Sequence, residues 1–89
     1  MEIKELLPLG SIVVLKQGSK RIMICARYQL SKRTKKFYDY GACYYPEGLI
    51  ESDKLFMFQH EDIERVIFKG FQDQEEVDFI AKINQILTE

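Results

Sequence analysis

The chain has 89 residues, room for one modest core, because a chain of this size buries only about 60–65 % of its unfolded surface. With 46 % hydrophobic residues, six Phe, five Tyr and a formal charge of −1, it is neither a disordered chain nor a globally basic nucleic-acid binder. The charge is unevenly spread: residues 1–36 carry nine basic groups against two acids, and residues 37–89 carry four against twelve. If the two halves interleave in one sheet these charges neutralise one another; if they segregate, one end of the molecule is acidic.

The N-terminus Met-Glu-Ile-Lys-Glu has acids where a signal peptide needs basic residues, and no apolar run approaches the roughly 18 residues of a membrane span. A cytoplasmic protein is expected. Residues 2–7 have the pattern of one amphipathic turn, but Pro8 disfavours a helical Leu7 and Gly10 follows, so Leu-Pro-Leu-Gly reads as a lead-in loop. Ile12, Val13, Val14 and Leu15 form a β-branched run within residues 11–16, between Gly10 and Gly18, which suits a strand covered on both faces. Gln17, Gly18 and Ser19 make the turn.

From residue 20 to 30 the pattern alternates, with Ile22, Ile24, Ala26, Tyr28 and Leu30 on one face and Arg21, Met23, Cys25, Arg27 and Gln29 on the other. Residues 31–36 set Lys32, Arg33, Lys35 and Lys36 around Thr34 with no apolar residue, the mark of a solvated hairpin tip. The next strand is residues 37–45, with a bulge or sharp bend at Gly41. Pro46, Glu47 and Gly48 end it, and residues 49–54 make a polar connection. Residues 55–59 form a short apolar strand, residues 60–64 a single acidic turn, and Val66 to Lys69 a fifth strand closed by Gly70. The period then changes. Asp73 with Glu76 makes a capping box, and Val77, Phe79, Ile80, Ala81, Ile83, Asn84, Ile86 and Leu87 form a wide apolar face on a helix running to about Leu87. That face must pack on the sheet or on a partner.

No catalytic constellation emerges. His60, the single histidine, stands beside Glu61 and Asp62 without further ligands at zinc spacing, so it reads as an orienting residue of its turn. The acids at the helix start are explained by capping and the helix dipole, and the five glycines are dispersed at turns and strand ends rather than gathered into a phosphate loop. Cys25 and Cys43 lie in apolar segments and behave as small hydrophobes in a reducing compartment; a disulfide requires their strands to pair. No metal or cofactor is expected. Two surface patterns remain. Lys32, Arg33, Lys35 and Lys36 beside Tyr38 and Tyr40 have the form of a single-strand nucleic-acid surface, though a solvated tip explains the same charges. The tyrosines Tyr38, Tyr40, Tyr44 and Tyr45 suit a protein interface, since aromatics with polar tips are enriched there.

The strings LLPLGSIVVLK (6–16), KRIMI (20–24), YDYGACYYPEG (38–48), LFMFQHEDI (55–63) and VIFKGF (66–71) resemble the short bacterial proteins grouped as domain of unknown function 4176, typical of Gram-positive bacteria. The resemblance runs from Leu6 to about Phe79. It implies a small cytoplasmic protein whose gene accompanies LXG-type toxins and type VII secretion components, and it supplies no catalytic residues. The expectation is therefore one α+β domain over residues 1–89: a curved antiparallel sheet or small barrel of about five strands with one C-terminal helix packed on it. The expected function is a non-enzymatic protein-interaction module, an accessory adaptor or chaperone for a type VII-secreted LXG-type toxin. Its partner-binding residues would be Tyr38, Tyr40, Tyr44, Tyr45, Lys32, Arg33, Lys35 and Lys36. The partner would be a protein, a secreted toxin or secretion component, rather than nucleic acid or membrane, and the chain a monomer or homodimer. The alternatives are a nucleic-acid-binding regulator using the basic tip and an immunity protein whose acidic segment, residues 61–78, meets a basic toxin domain.

Overall fold

The computed structural model describes residues 5–51 and 55–88. The expectations placed on residues 2–4 and 52–54, and on the Leu87 side chain, lie outside what it describes. Five strands, β1 (Ile12–Leu15), β2 (Ile22–Leu30), β3 (Phe37–Tyr44), β4 (Phe56–Phe58) and β5 (Ile63–Phe68), precede one helix, α1 (Gln74–Thr88). They form a single antiparallel sheet in the order β4-β3-β2-β1-β5. The first four strands are laid down as successive neighbours, and β5 then returns to pair with β1.

That return dictates the shape. In a flat sheet β4 and β5 would lie about 19 Å apart at a strand spacing of about 4.8 Å. The chain from Phe58 to Ile63 has five steps, at most about 18 Å when fully extended, and His60–Asp62 is coiled into a 3-10 turn. The sheet must therefore curl until its two edges approach at this end. The Lys16 amide donates to the Asp62 carbonyl at 2.9 Å and fixes the turn against the end of β1. β4 and β5 do not pair, so of the two expected forms the open curved sheet is the one adopted.

Inside the curl lie Val13, Ile24, Tyr40 and Ala42, all fully buried, with Ile22 and Phe58. The lead-in loop closes the open side: Leu6 and Pro8 are buried there, and Ile80 of α1 packs on the same cluster. Burial of each large aliphatic is worth roughly 1.5–3 kcal/mol. Ser11, completely buried, anchors this lid, donating to the Pro8 carbonyl at 2.8 Å and accepting the Gly70 amide at 2.9 Å.

Three local departures from the sequence reading have clear causes. The alternation of β2 breaks at Cys25, where Ile24 pairs with Ala42 but Ala26 pairs with Gly41, leaving Cys25 as an extra residue. The bulge anticipated at Gly41 is thus on the partner strand, and it shifts the pattern by one, so Ala26 leaves the core face and Arg27, opposite buried Tyr40, joins it. β5 begins at Ile63 rather than Val66, because the acidic stretch coils only through Asp62. At α1, Asp73 caps as expected, its carboxylate accepting the Glu76 amide at 3.0 Å, but the Glu76 carboxylate turns to Arg27 instead of back to Asp73.

Candidate interaction surface

The polar residues between β4 and β5 converge on a structural clasp. The Gln59 side chain bridges to β3, accepting the Asp39 amide at 3.2 Å and donating to the Phe37 carbonyl at 2.9 Å. Buried Asp39 accepts the His60 amide at 2.8 Å, and Asp62 accepts the Gln59 amide at 3.0 Å. His60 Nδ1 lies 2.7 Å from the Tyr40 hydroxyl, which also accepts the Leu7 amide at 2.9 Å. One buried phenol thereby joins β3, the 3-10 turn and the lead-in loop. Among the described residues no three His, Cys, Asp or Glu side chains are grouped so as to hold a metal ion, and His60 is committed to holding the turn.

A second interior contact fixes the helix. The Arg27 guanidinium grips the Glu76 carboxylate with both of its terminal nitrogens, donates to the Leu7 carbonyl at 3.4 Å and lies 5.5 Å from the centre of the Phe79 ring. Its side chain is 5 % exposed and that of Glu76 is 14 % exposed. A forked, two-point pair sheltered in this way is geometrically selective, so it sets where α1 sits.

The sequence-predicted partner-binding residues divide. Tyr40 is corrected outright: it is fully buried and its hydroxyl is consumed by the clasp, so it offers no surface. Alternation put it on the face with Tyr38 and Tyr44, but Tyr38 is half-buried and Tyr44 exposed; the curl encloses only the middle of β3. The remaining tyrosines carry their own cations, with Lys36 5.5 Å from the Tyr38 ring, Lys20 5.7 Å from Tyr44 and Arg21 6.0 Å from Tyr45. Lys20 also pairs with Glu47 at 2.8 Å, and that hydrogen bond is the main reason the exposed Glu47 carboxyl is held below its ordinary range. Lys32, Arg33, Lys35 and Lys36 are exposed at the β2–β3 tip. Tyr44 packs against Phe56 with the rings tilted by 58° and their centres 4.7 Å apart, and the two line an apolar hollow of about 490 Å³ with Ile50 and Leu55.

The larger apolar surface lies elsewhere. β5 is the outer strand, so one of its edges has no partner strand among the described residues. Every residue after Ile63 is exposed, including Val66 (46 %), Ile67 (43 %) and Phe68 (57 %), and Phe71 just beyond is 80 % exposed. Phe71, Leu9 and Phe79 line a hollow of about 520 Å³ whose floor includes Arg27 and whose rim bears Asp73 and Glu75. On α1, Val77 and Ile86 also face solvent, so only part of the helix's apolar face is used within the chain. Sequence reasoning missed this surface because Val66-Ile67-Phe68 reads as a fifth strand without showing whether that strand is inner or outer. The signal was the helix face, wider than one contact with a five-stranded sheet can cover.

A free ladder edge flanked by apolar side chains can take up an extended peptide by strand addition, with the backbone supplying affinity and side-chain hollows supplying selectivity. Among the described residues no helix is long and apolar enough to cross a membrane. A family model described as a domain of unknown function (DUF4176) matches residues 6–79. No curated protein and no solved structure matches the chain.

Proposed function

The chain belongs to the DUF4176 family, and from that premise we propose that it is a non-enzymatic, cytoplasmic protein-interaction module, an accessory adaptor or chaperone for a type VII-secreted LXG-type toxin. One observation carries the interaction reading: the edge of β5, unpaired among the described residues, with Val66, Ile67, Phe68 and Phe71 turned out to solvent. Natural sheets usually blunt such an edge with charge, proline or a covering loop; Glu64 and Arg65 supply charge at the start of β5, and the apolar remainder from Val66 to Phe68 is best explained by a partner that covers it. The secretion context comes from the family resemblance. The acids at the rim of the neighbouring hollow, Asp73 and Glu75, favour a cargo segment that joins apolar residues to basic ones.

The test is co-purification with the N-terminal region of an LXG-type toxin encoded beside this gene. A complex that survives purification and is lost in Phe68→Asp and Val66→Lys supports the proposal. Absence of a complex at micromolar concentration, or a complex indifferent to both substitutions, removes it. Binding to a single-stranded oligonucleotide that weakens steeply with salt would instead select the regulator reading built on the basic tip.

A further inference from the structure

The β2–β3 tip, residues 31–36, carries four cations and no acid. It is tied to itself: the Lys35 amide donates to the Ser31 carbonyl at 2.8 Å, the Ser31 amide to the Lys36 carbonyl at 2.9 Å, and the Thr34 amide to the Ser31 hydroxyl at 3.3 Å. Beside this turn lies a hollow of about 420 Å³, lined by Ser31, Arg33 and Thr34 of the tip, Tyr38 of β3, and Leu55 and Met57 of the β4 segment. Its size is that of a small-molecule site. Ser31, Tyr38, Leu55 and Met57 are half-buried, while Arg33 and Thr34 are exposed. The polar lining is three hydroxyls and one guanidinium, with no carboxylate. The Ser31 oxygen accepts the Thr34 amide, which leaves its proton to donate. Among the described residues none of these four groups donates to a protein acceptor.

A lining of unused donors bordered by cations complements an oxyanion, and a phosphoryl group, with its several acceptor oxygens, suits an arginine fork flanked by hydroxyls. We propose that this hollow binds the phosphoryl group of a small phosphorylated ligand, held by Arg33, Ser31, Thr34 and Tyr38, with the ligand's less polar part against Leu55 and Met57. Lys32, Lys35 and Lys36, exposed on the same tip, raise the local concentration of such an anion. A nucleoside phosphate and a phospholipid headgroup share this chemistry. An extended single strand fits less well, because it needs successive rings on which to stack. Tyr40 is interior, Lys36 stands 5.5 Å from the centre of the Tyr38 ring, and exposed Phe37 points to the opposite face of the strand from Tyr38. The site uses no residue of β5, so it is independent of the strand-addition surface.

The experiment titrates the isotope-labelled chain with pyrophosphate, adenosine diphosphate and adenosine, following backbone amides by NMR. Phosphatidylcholine vesicles with and without phosphatidic acid form a separate sedimentation arm. Pyrophosphate and adenosine diphosphate are expected to shift residues 31–38 and 55–57 saturably, the diphosphate binding more tightly, while adenosine does not. Arg33→Gln should weaken both about tenfold, as loss of a charge-assisted hydrogen bond does. Lys69→Gln, which removes an exposed cation outside the hollow, should leave binding unchanged. Arg33 is exposed and makes no protein contact of its own among the described residues, so its substitution leaves the fold intact. Sedimentation with phosphatidic acid vesicles that Arg33→Gln abolishes assigns the group to a lipid headgroup; binding of the diphosphate without sedimentation assigns it to a free ligand. The proposal is overturned if no phosphorylated probe moves these amides, if Arg33→Gln and Lys69→Gln act alike, or if a single-stranded oligonucleotide binds the tip and the small phosphates do not.

Discussion

Gly70 is held to glycine by contact, not by its backbone angles. A Cβ built there would stand 2.2 Å from the Leu9 carbonyl oxygen, and that oxygen belongs to a backbone that cannot swing aside without releasing the Ser11 anchor. Gly70→Ala is expected to lower stability by about 1–3 kcal/mol, as overpacking does, read as a drop in the denaturant midpoint with unchanged slope. Tyr40→Phe removes only an oxygen but strands the Leu7 amide and deprives His60 of its partner; a loss of about 1–3 kcal/mol is expected, measurable in the same way. The surface pair behaves differently. Because Glu47 is depressed in the folded chain by its hydrogen bond to Lys20, the pair contributes at pH above the ordinary carboxylate value and is lost as pH falls through the lowered one. Lys20→Ala should return the Glu47 titration toward its ordinary range, seen by side-chain NMR, while the midpoint at neutral pH hardly moves.

At the scale of elements, the helix is the least firmly held part. Of its described apolar side chains only Ile80 reaches the core cluster, and Arg27–Glu76 supplies the polar tie. Amides of α1 should therefore exchange with solvent faster than those of β2 and β3, and Glu76→Ala, which leaves a sheltered guanidinium without its carboxylate, should cost about 3–5 kcal/mol and erase the protection of α1 first. Strand existence was legible throughout, since runs such as Ile-Val-Val-Leu and Phe-Met-Phe between glycine and proline leave few alternatives. The hidden part was phase. Nothing in Arg21 to Gln29 announces that Cys25 is an unpaired residue, so Arg27 reads as lying on the face away from Ile22 and Ile24 when it is the most sheltered cation among the described residues. The start of β5 was hidden for a related reason: Glu61 and Asp62 suit a helix locally, and only the span from Phe58 to Ile63 limits the coil to one turn.

Across the whole molecule the halves of opposite charge interleave, β1 and β2 from the basic half lying between β3 and β5 from the acidic one, with Lys20–Glu47 and Arg27–Glu76 joining them. Of the two charge arrangements left open by the sequence, the interleaved one is realised, leaving a basic tip and scattered acids. The candidate surface was only partly readable: tyrosine content pointed to β3, yet Tyr40 is interior, and the open apolar edge became visible only once β5 was seen to be outermost. The central claim is that this edge receives a partner strand. Amide hydrogen exchange across residues 63–68, followed with and without the N-terminal region of the LXG-type toxin proposed as partner, addresses it most directly. Added protection in β5, with the amides of residues 31–36 unchanged, is the predicted result; β5 exchanging equally fast in a demonstrated complex would contradict it.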